Sequence, residues 1–354
     1  MTRIVLLGAT GYTGRMVVER LLARGERPVV AGRSTARLEE LAGRHGGLET
    51  READVARPGT VIDLLGEGDV LVSTVGPFAA HGAEAVRAAI AAGGIYLDST
   101  GEPAFIRRVF EEFGPPAGRA GAALLTAMGY DFVPGALAGA LALDEAGDAA
   151  VRVDVGYYAF GAGPAAFSGG TKRSAVGVAL DGSHAYRDGR VSGARTAARV
   201  RAFEVRGRER PAVSIGGSEH YGLPAAYPRL REVNVYLGWF GPLARVPAAR
   251  RAVRAAGERL VALTPDPQPG TSAGARSWIV AEAYDAGGAR LATVHVSGAD
   301  PYEFTGAFLA WAAQRAARQG VSGTGALGPV EAFGVDALEA GCREAELERT
   351  AAGA

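Results

Sequence analysis

The sequence predicts an α/β protein: a doubly wound parallel sheet, then a second, α+β domain on a mixed or antiparallel sheet. Three observations predict this. Over the first 127 residues, short apolar runs rich in β-branched residues alternate with stretches of helical spacing. A glycine-rich turn joins the first run to the first helical stretch. After about Tyr130 the alternation changes to period two. Continuous apolar strands separated by amphipathic helices belong to a parallel sheet covered on both faces, with right-handed crossovers.

In chain order, the strand candidates of the first part are 4–7, 28–31, a weaker and more polar run at 48–53, then 70–74, 95–98 and 122–126. Helical spacing marks 12–23, 35–44, 59–65 and 83–92. In the second part Val151, Val153, Val155 and Tyr157 alternate with other residues, as a two-faced strand does. Residues 232–237 read similarly, and 278–284 and 290–297 flank Asp285-Ala286-Gly287-Gly288 as a hairpin. Helices are expected at 243–263 and 302–318, with a proline-interrupted loop at 264–277 between the first of these and the hairpin. Residues after Gly320 are glycine-rich, then helical over 335–349. The expected division is 1–128, 129–320 and 321–354.

Composition limits the function classes. The chain has 354 residues, 48% hydrophobic, enough for two domains with large cores. Lys plus Arg and Asp plus Glu are both 38, which argues against a nucleic-acid binder. Lys172 is the one lysine, so an arginine elsewhere carries little meaning by its type alone. Cys342 is the one cysteine, which excludes an intramolecular disulfide and a cysteine-based zinc site. No metal-ligand spacing stands out, and Ser218-Glu219-His220 reads as part of a loop. No apolar run reaches 18 residues, so no membrane span is expected. Met1-Thr2-Arg3 leads straight into a strand without a signal-peptide layout, and a cytoplasmic protein is the expectation.

The strongest local signal is Gly8-Ala9-Thr10-Gly11-Tyr12-Thr13-Gly14 between the first strand and the first helix. A tight turn there lets backbone N–H groups approach a pyrophosphate, and the helix beginning near Tyr12 presents its positive end to that charge. Gly14 lets helix and strand pack closely. Such a turn, in strand–helix–strand context, is the dinucleotide fingerprint of a Rossmann-type domain. NAD sites usually carry an acid at the end of the second strand. Here the sequence is Ala31-Gly32-Arg33-Ser34. Arg33 can pair with a 2′-phosphate, and Ser34 can add a hydrogen bond, which favours NADP. Asp54, after the third strand, stands where such folds touch the adenine edge.

Further motifs occur in order: Ser73-Thr74-Val75-Gly76-Pro77-Phe78 with Gly82 beyond it, Tyr96-Leu97-Asp98-Ser99-Thr100-Gly101-Glu102, Gly129-Tyr130-Asp131-Phe132-Val133-Pro134, Ser168-Gly169-Gly170-Thr171 and Gly298-Ala299-Asp300-Pro301-Tyr302. Together with the glycine turn, they resemble the saccharopine dehydrogenase-like reductases, and within these the trans-acting enoyl reductases of lipid and polyketide pathways. The resemblance implies a Rossmann domain, a second domain carrying the substrate cleft, a C-terminal segment 321–354 that returns to the first domain, and passage of Val75, Gly76, Pro77 and Phe78 beside the nicotinamide.

A nicotinamide reductase needs an oriented acceptor and a proton more than elaborate acid–base machinery. The proton-donor candidates are Tyr130 and Asp131 after the sixth strand, and His81 in the nicotinamide loop. Tyr157 can face either way. Lys172 follows a Ser-Gly-Gly-Thr run that looks like a helix start, where an anion or a polarised carbonyl can bind. It stands where the resembling family usually has an apolar residue. The expected function is NADPH-dependent reduction of a polarised C=C or C=N bond in a small or carrier-bound substrate. The alternative is a non-redox dinucleotide-binding protein, either an isomerase or cyclase or a sensing regulator. Apolar residues such as Trp239, Phe240 and Trp278 suit a hydrophobic substrate or a homodimer sheet equally.

Overall fold

The computed structural model describes residues 2–161, 182–238, 275–298 and 300–351. The expected elements at 168–180 and 243–263, Lys172 among them, lie outside the described residues. The chain divides into two compact units: Met1–Thr100, Phe105–Tyr130 and Tyr302–Leu327 form the first, and Gly101–Ala104, Asp131–Pro301 and Gly328–Ala354 the second.

The first unit holds a parallel sheet of β1 (Ile4–Leu7), β2 (Val29–Gly32), β3 (Thr50–Glu52), β4 (Val70–Ser73), β5 (Ile95–Asp98), β6 (Ala123–Leu125) and the late strand β15 (Gly325–Ala326). Among the described residues its order is β15-β6-β5-β4-β1-β2-β3, with every neighbouring pair parallel. The order reverses between β1 and β4, which opens a crevice at the carboxyl ends of the strands. Register explains why the strand sequences are apolar throughout. Val29, Val5, Leu71, Tyr96 and Leu124 pair in one row across five strands, and all five join the same buried cluster. Leu6 and Val72 point to the other face and are equally buried. Each such side chain stabilises the unit by roughly 1.5–3 kcal/mol.

Helices α1 (Tyr12–Ala23), α2 (Thr35–Arg44), α3 (Pro58–Ile62) and α4 (Phe78–Ala91) cover the strands. Helix α1 buries Gly14, Val17, Val18 and Leu21, one stripe at helical spacing. Helix α4 starts five residues before the expected 83, because Pro77 caps it and Phe78 already packs inward. Between β5 and β6 the chain forms α5 (Pro103–Arg108), a π-helical turn (Val109–Phe113) and α6 (Gly114–Ala120).

In the second unit β7 (Arg152–Phe160), β12 (Glu232–Leu237), β13 (Arg276–Tyr284), β14 (Arg290–Gly298) and β16 (Leu347–Thr350) pair in the order β12-β7-β13-β14-β16. Strands β10 (Val200–Val205) and β11 (Arg208–Ile215) extend it past β12, while β8 (Ser183–Arg187) pairs with β12 and β9 (Arg190–Ala194). The β7–β12 pair is parallel and the others are antiparallel, so the sheet is mixed. The hairpin at Asp285 forms as expected: Asp285 Oδ1 accepts the Ala289 amide at 2.8 Å, and Gly288 supplies φ +84°. Helix α7 (Val133–Ala146) lies on the face bearing Val153, Val155 and Tyr157. Its residues from Val133 to Leu143 are all buried. A helix apolar on every side shows no period, which is why none is legible there. Helix α8 (Glu219–Ala226) follows β11.

Three expectations need correction. The helix expected over 335–349 ends at Glu344, and Leu347–Thr350 forms β16 against the edge of β14. Edge pairing overrides the helical propensity of a Leu-Glu-Arg run. Ser218-Glu219-His220 opens α8, with all three residues buried, and is not a surface loop. The units also depart from a division at 128 and 320. Helix α9 (Pro301–Gln319) lies mostly with the first unit: Gly306 abuts Met16, and Gln314 Nε2 donates to Arg24 O at 3.0 Å. Helices α10 (Pro329–Phe333) and α11 (Val335–Glu344) lie with the second, where Gly222 and Gly328 bring backbones together. An amphipathic stripe says that a helix has a partner sheet, not which one. Among the described residues no helix is long and apolar enough to cross a membrane.

Candidate functional site

The glycine turn sits at the carboxyl end of β1. Gly8 and Ala9 amides both donate to Ala31 O, at 2.9 and 3.2 Å, and Gly11 N donates to Gly8 O at 3.0 Å. Gly8 has φ +88°, and a Cβ on it would lie 2.7 Å from Thr74 Oγ1. A Cβ on Gly14 would collide with the Gly8 carbonyl and lie within 2.9 Å of Ala9 Cα. Both glycines are therefore demanded by close backbone approach. Gly11 is exposed and caps α1 with no side chain. Helical geometry leaves the first amides of α1 without intrahelical acceptors. Thr10, Tyr12 and Thr13 are half-buried around this end, and the Tyr12 and Tyr302 rings meet edge-on at 5.3 Å.

Arg33 follows β2 directly and is exposed; among the described residues it has no ion-pair partner. Ser34 caps α2, its Oγ accepting Arg37 N at 3.5 Å, which leaves the hydroxyl proton to donate. The acid closing β3, Glu52, is already engaged by Arg57 Nη2 at 2.7 Å and Thr35 Oγ1 at 3.0 Å, which hold its pKa down. Asp54 organises the turn before α3: Oδ1 accepts Ala56 N at 3.0 Å, and its own amide donates to Thr60 Oγ1 at 2.9 Å. A dinucleotide fits this set. A bare glycine turn and a helix end suit the diphosphate, and an unengaged guanidinium suits a further phosphate.

The segment after β4 contains a cis Gly76–Pro77 bond. Val75 and Pro77 are half-buried and Gly76 is exposed. Phe78 turns into the core, its ring 5.7 Å from that of Phe105. His81 is exposed within the first turn of α4, so it belongs to a helix and not to the loop before it. Asp98 ties the ends of β5 and β6. Oδ1 accepts the Thr100 and Ala127 amides, both at 2.9 Å, and Oδ2 accepts Thr126 Oγ1 at 2.8 Å. Burial pushes Asp98 up to about 6 against those hydrogen bonds. Tyr130 is buried, with its amide donating to Thr305 Oγ1 at 3.0 Å.

The second unit contains a cluster of buried acids. Asp131 Oδ1 is out of water and has no hydrogen-bond partner. Burial pushes this carboxyl up to about 7. The Gly101 position leaves room for Oδ2: a Cβ there would lie 2.9 Å from it. Tyr157 points toward α7. Its hydroxyl accepts Gly135 N at 2.8 Å and lies 3.0 Å from Phe132 O and 2.6 Å from Glu219 Oε1. A phenol has one proton. Donated to Phe132 O, it leaves Glu219 able to bond only by supplying its own proton to the phenolic oxygen. A neutral Glu219 therefore satisfies the arrangement best. Glu219 is 1% exposed, its Oε2 has no partner, and burial with the charge of Asp131 pushes it up to about 8. The same burial, with Glu219 beside it, pushes the Tyr157 hydroxyl well up. Two carboxyls thus hold protons near neutral pH. Sequence reasoning reached Asp131 and missed Glu219, which has no motif around it and gains its partner only through the fold. Among the described residues no group of three His, Cys, Asp or Glu is placed to hold a metal.

The strand order, the glycine turn and the helix end define a Rossmann-type dinucleotide-binding protein. A family model described as NAD(P)H-binding matches residues 8–96. A Mycobacterium tuberculosis protein bearing the name trans-acting enoyl reductase is 39% identical over 139 residues, 37% of this chain and 33% of that protein. The trans-acting enoyl reductase of Mycobacterium ulcerans is 34% identical over 137 residues, again 37% of this chain and 33% of that protein. The match thus spans about a third of the length of these relatives. Among solved structures, apo saccharopine dehydrogenase (L-Glu forming) from Saccharomyces cerevisiae superposes with TM-score 0.61 at 15% identity, covering 99% of this chain and 100% of that one. The chain is thus similar in fold to a saccharopine dehydrogenase, and similar in sequence, over about a third of its length, to trans-acting enoyl reductases.

Proposed function

We propose that this chain is an NADPH-dependent reductase of a polarised C=C or C=N bond in a small or carrier-bound substrate. The observation that carries the proposal is the pairing of a glycine turn, tight at Gly8 and Gly14, with Arg33 beyond β2, which has no ion-pair partner among the described residues. The cofactor supplies the hydride when bound. The amides of the turn and of α1 hold its diphosphate, and Arg33 with Ser34 selects the 2′-phosphate. Asp131 delivers the proton to the reduced substrate: its carboxyl is protonated below about pH 7 and carries one oxygen with no competing partner. Burial alone keeps Asp131 protonated, and once it ionises its charge holds the protons of Glu219 and Tyr157 in place. The names of the mycobacterial relatives and the yeast enzyme support reduction as the reaction class.

The test is consumption of NADPH, followed by absorbance, with a panel of enoyl thioesters, free and carrier-bound, and cyclic imines. Turnover with at least one acceptor is expected, with NADH a poorer donor. Failure of every acceptor, with NADPH shown to bind, removes the redox reading and leaves a non-redox role.

A further inference from the structure

A pocket in the second unit lies between β8, β11 and β12, with His220, the chain neighbour of Glu219, in its wall. It has room for about one water molecule in its interior and opens to solvent. Three guanidinium groups line it: Arg187, Arg195 and Arg199. Among the described residues no carboxylate lines it. Glu232 stands behind, 3.1 Å from Arg199 Nη2 and 3.9 Å from Arg187 Nε, and offsets one of the three charges. Arg199 Nη2 also donates to Asn234 Oδ1 at 2.6 Å, yet its Nε is buried with no acceptor. Arg195 is exposed and has no ion-pair partner among the described residues.

The remaining polar groups add donors. Ser183 Oγ accepts Gly216 N at 2.6 Å, and Ser214 Oγ accepts Arg199 N at 3.0 Å. Each hydroxyl has used an acceptor site on the protein and keeps its proton for a ligand. Asn234 spends both ends of its amide, on Arg199 and on Asp154 Oδ1 at 2.6 Å. Buried His220 lines the same pocket, and burial together with the charges of His184, Arg187 and Arg199 pushes it down to about 3. Burial is the largest cause, and the neighbouring positive charges add to it. A buried guanidinium donor without an acceptor is costly to leave unmade. Forked donors and hydroxyls beside a surplus of two positive charges suit a phosphate dianion better than a singly charged carboxylate.

We propose that the solvent-open mouth of this pocket is a binding site for a phosphate group, held by Arg187, Arg195 and Arg199 with the hydroxyls of Ser183 and Ser214. It is separate from the glycine turn and does not depend on the reductase reading.

The test is titration of the full chain with inorganic phosphate, followed by calorimetry, in the natural sequence and three variants. Arg195→Gln removes a pocket charge that no described ion pair uses. Arg190→Gln removes the same charge from β9 outside the pocket. Arg33→Gln removes the charge near the glycine turn. Phosphate binding about tenfold weaker in Arg195→Gln, and within about twofold of the natural sequence in Arg190→Gln, is expected. Ser214→Ala, which keeps every charge, should weaken it less but measurably. Equal loss in Arg190→Gln would reduce the effect to net charge and overturn the site, and loss only in Arg33→Gln would place the phosphate at the glycine turn. Acetate displacing phosphate at equal concentration would overturn the phosphate assignment. Circular dichroism of each variant separates binding loss from unfolding.

Discussion

Glu219→Gln isolates the buried acid cluster in one substitution. Glu219 has an ordinary value of 4.5 and is pushed up to about 8 by burial. A carboxyl whose folded pKa is raised binds its proton in the native state over a range where the unfolded chain has lost it. Stability is unaffected by this group below about 4.5, falls as pH rises from 4.5 to 8, and levels off above 8. One pKa unit corresponds to about 1.36 kcal/mol. Between pH 5.5 and 7.5, most of that window, Glu219 should cost the second unit about 2.5 kcal/mol. Glutamine matches the neutral acid in shape, can donate to the Tyr157 hydroxyl, and does not titrate. Hydrogen exchange of the α7 and β7 amides, Gly135 included, reports opening of this unit itself. Taking natural sequence minus variant at each pH removes the intrinsic pH dependence of exchange. The difference should move by about 2.5 kcal/mol across the two units of pH, with the variant gaining relative stability at the alkaline end. Parallel profiles would mean that Glu219 is ionised in the native state, and the proton assignment around Tyr157 would fail.

Other outcomes follow from the same geometry. Tyr157→Phe removes the group that meets Gly135 N, Phe132 O and Glu219 Oε1, and should destabilise the second unit by about 1–3 kcal/mol in urea unfolding. Arg33→Gln should weaken NADPH binding about ten- to hundredfold while leaving NADH within about twofold, by fluorescence titration. Gly14→Ala places a methyl against Gly8 O and Ala9 backbone, which cannot swing aside; about 1–3 kcal/mol of stability should be lost together with dinucleotide binding. If Asp131 is the acid, the rate should fall as pH rises through about 7, and Asp131→Asn should be slow and lack that limb.

Much of the first unit was legible because its rules are local. A strand such as Ile4–Leu7 is buried on both faces, so four apolar residues between a polar start and a glycine declare it. Gly8 and Gly14 were legible for a related reason: no other residue tolerates those backbone contacts. The second unit was harder where its determinants are distant in sequence. Val133 to Leu143 is buried all round and shows no stripe. Glu219 acquires meaning only when β7 carries Tyr157 to it from 62 positions away. Phe78 shows the limit of reading roles from a motif: its neighbours face the crevice end of the sheet, while its own ring serves the core.

The late strands β15 and β16 each complete an edge. Gly325 and Ala326 add to β6, and Leu347 to Thr350 add to β14, each at the margin of a sheet whose other strands were synthesised long before. A nascent chain lacking these residues exposes two rows of backbone groups ready to recruit foreign strands. Neither sheet can close its edge until these residues have been made. Nonsense truncations beyond Gly320 should surface as aggregation in the cell rather than as a merely slower protein.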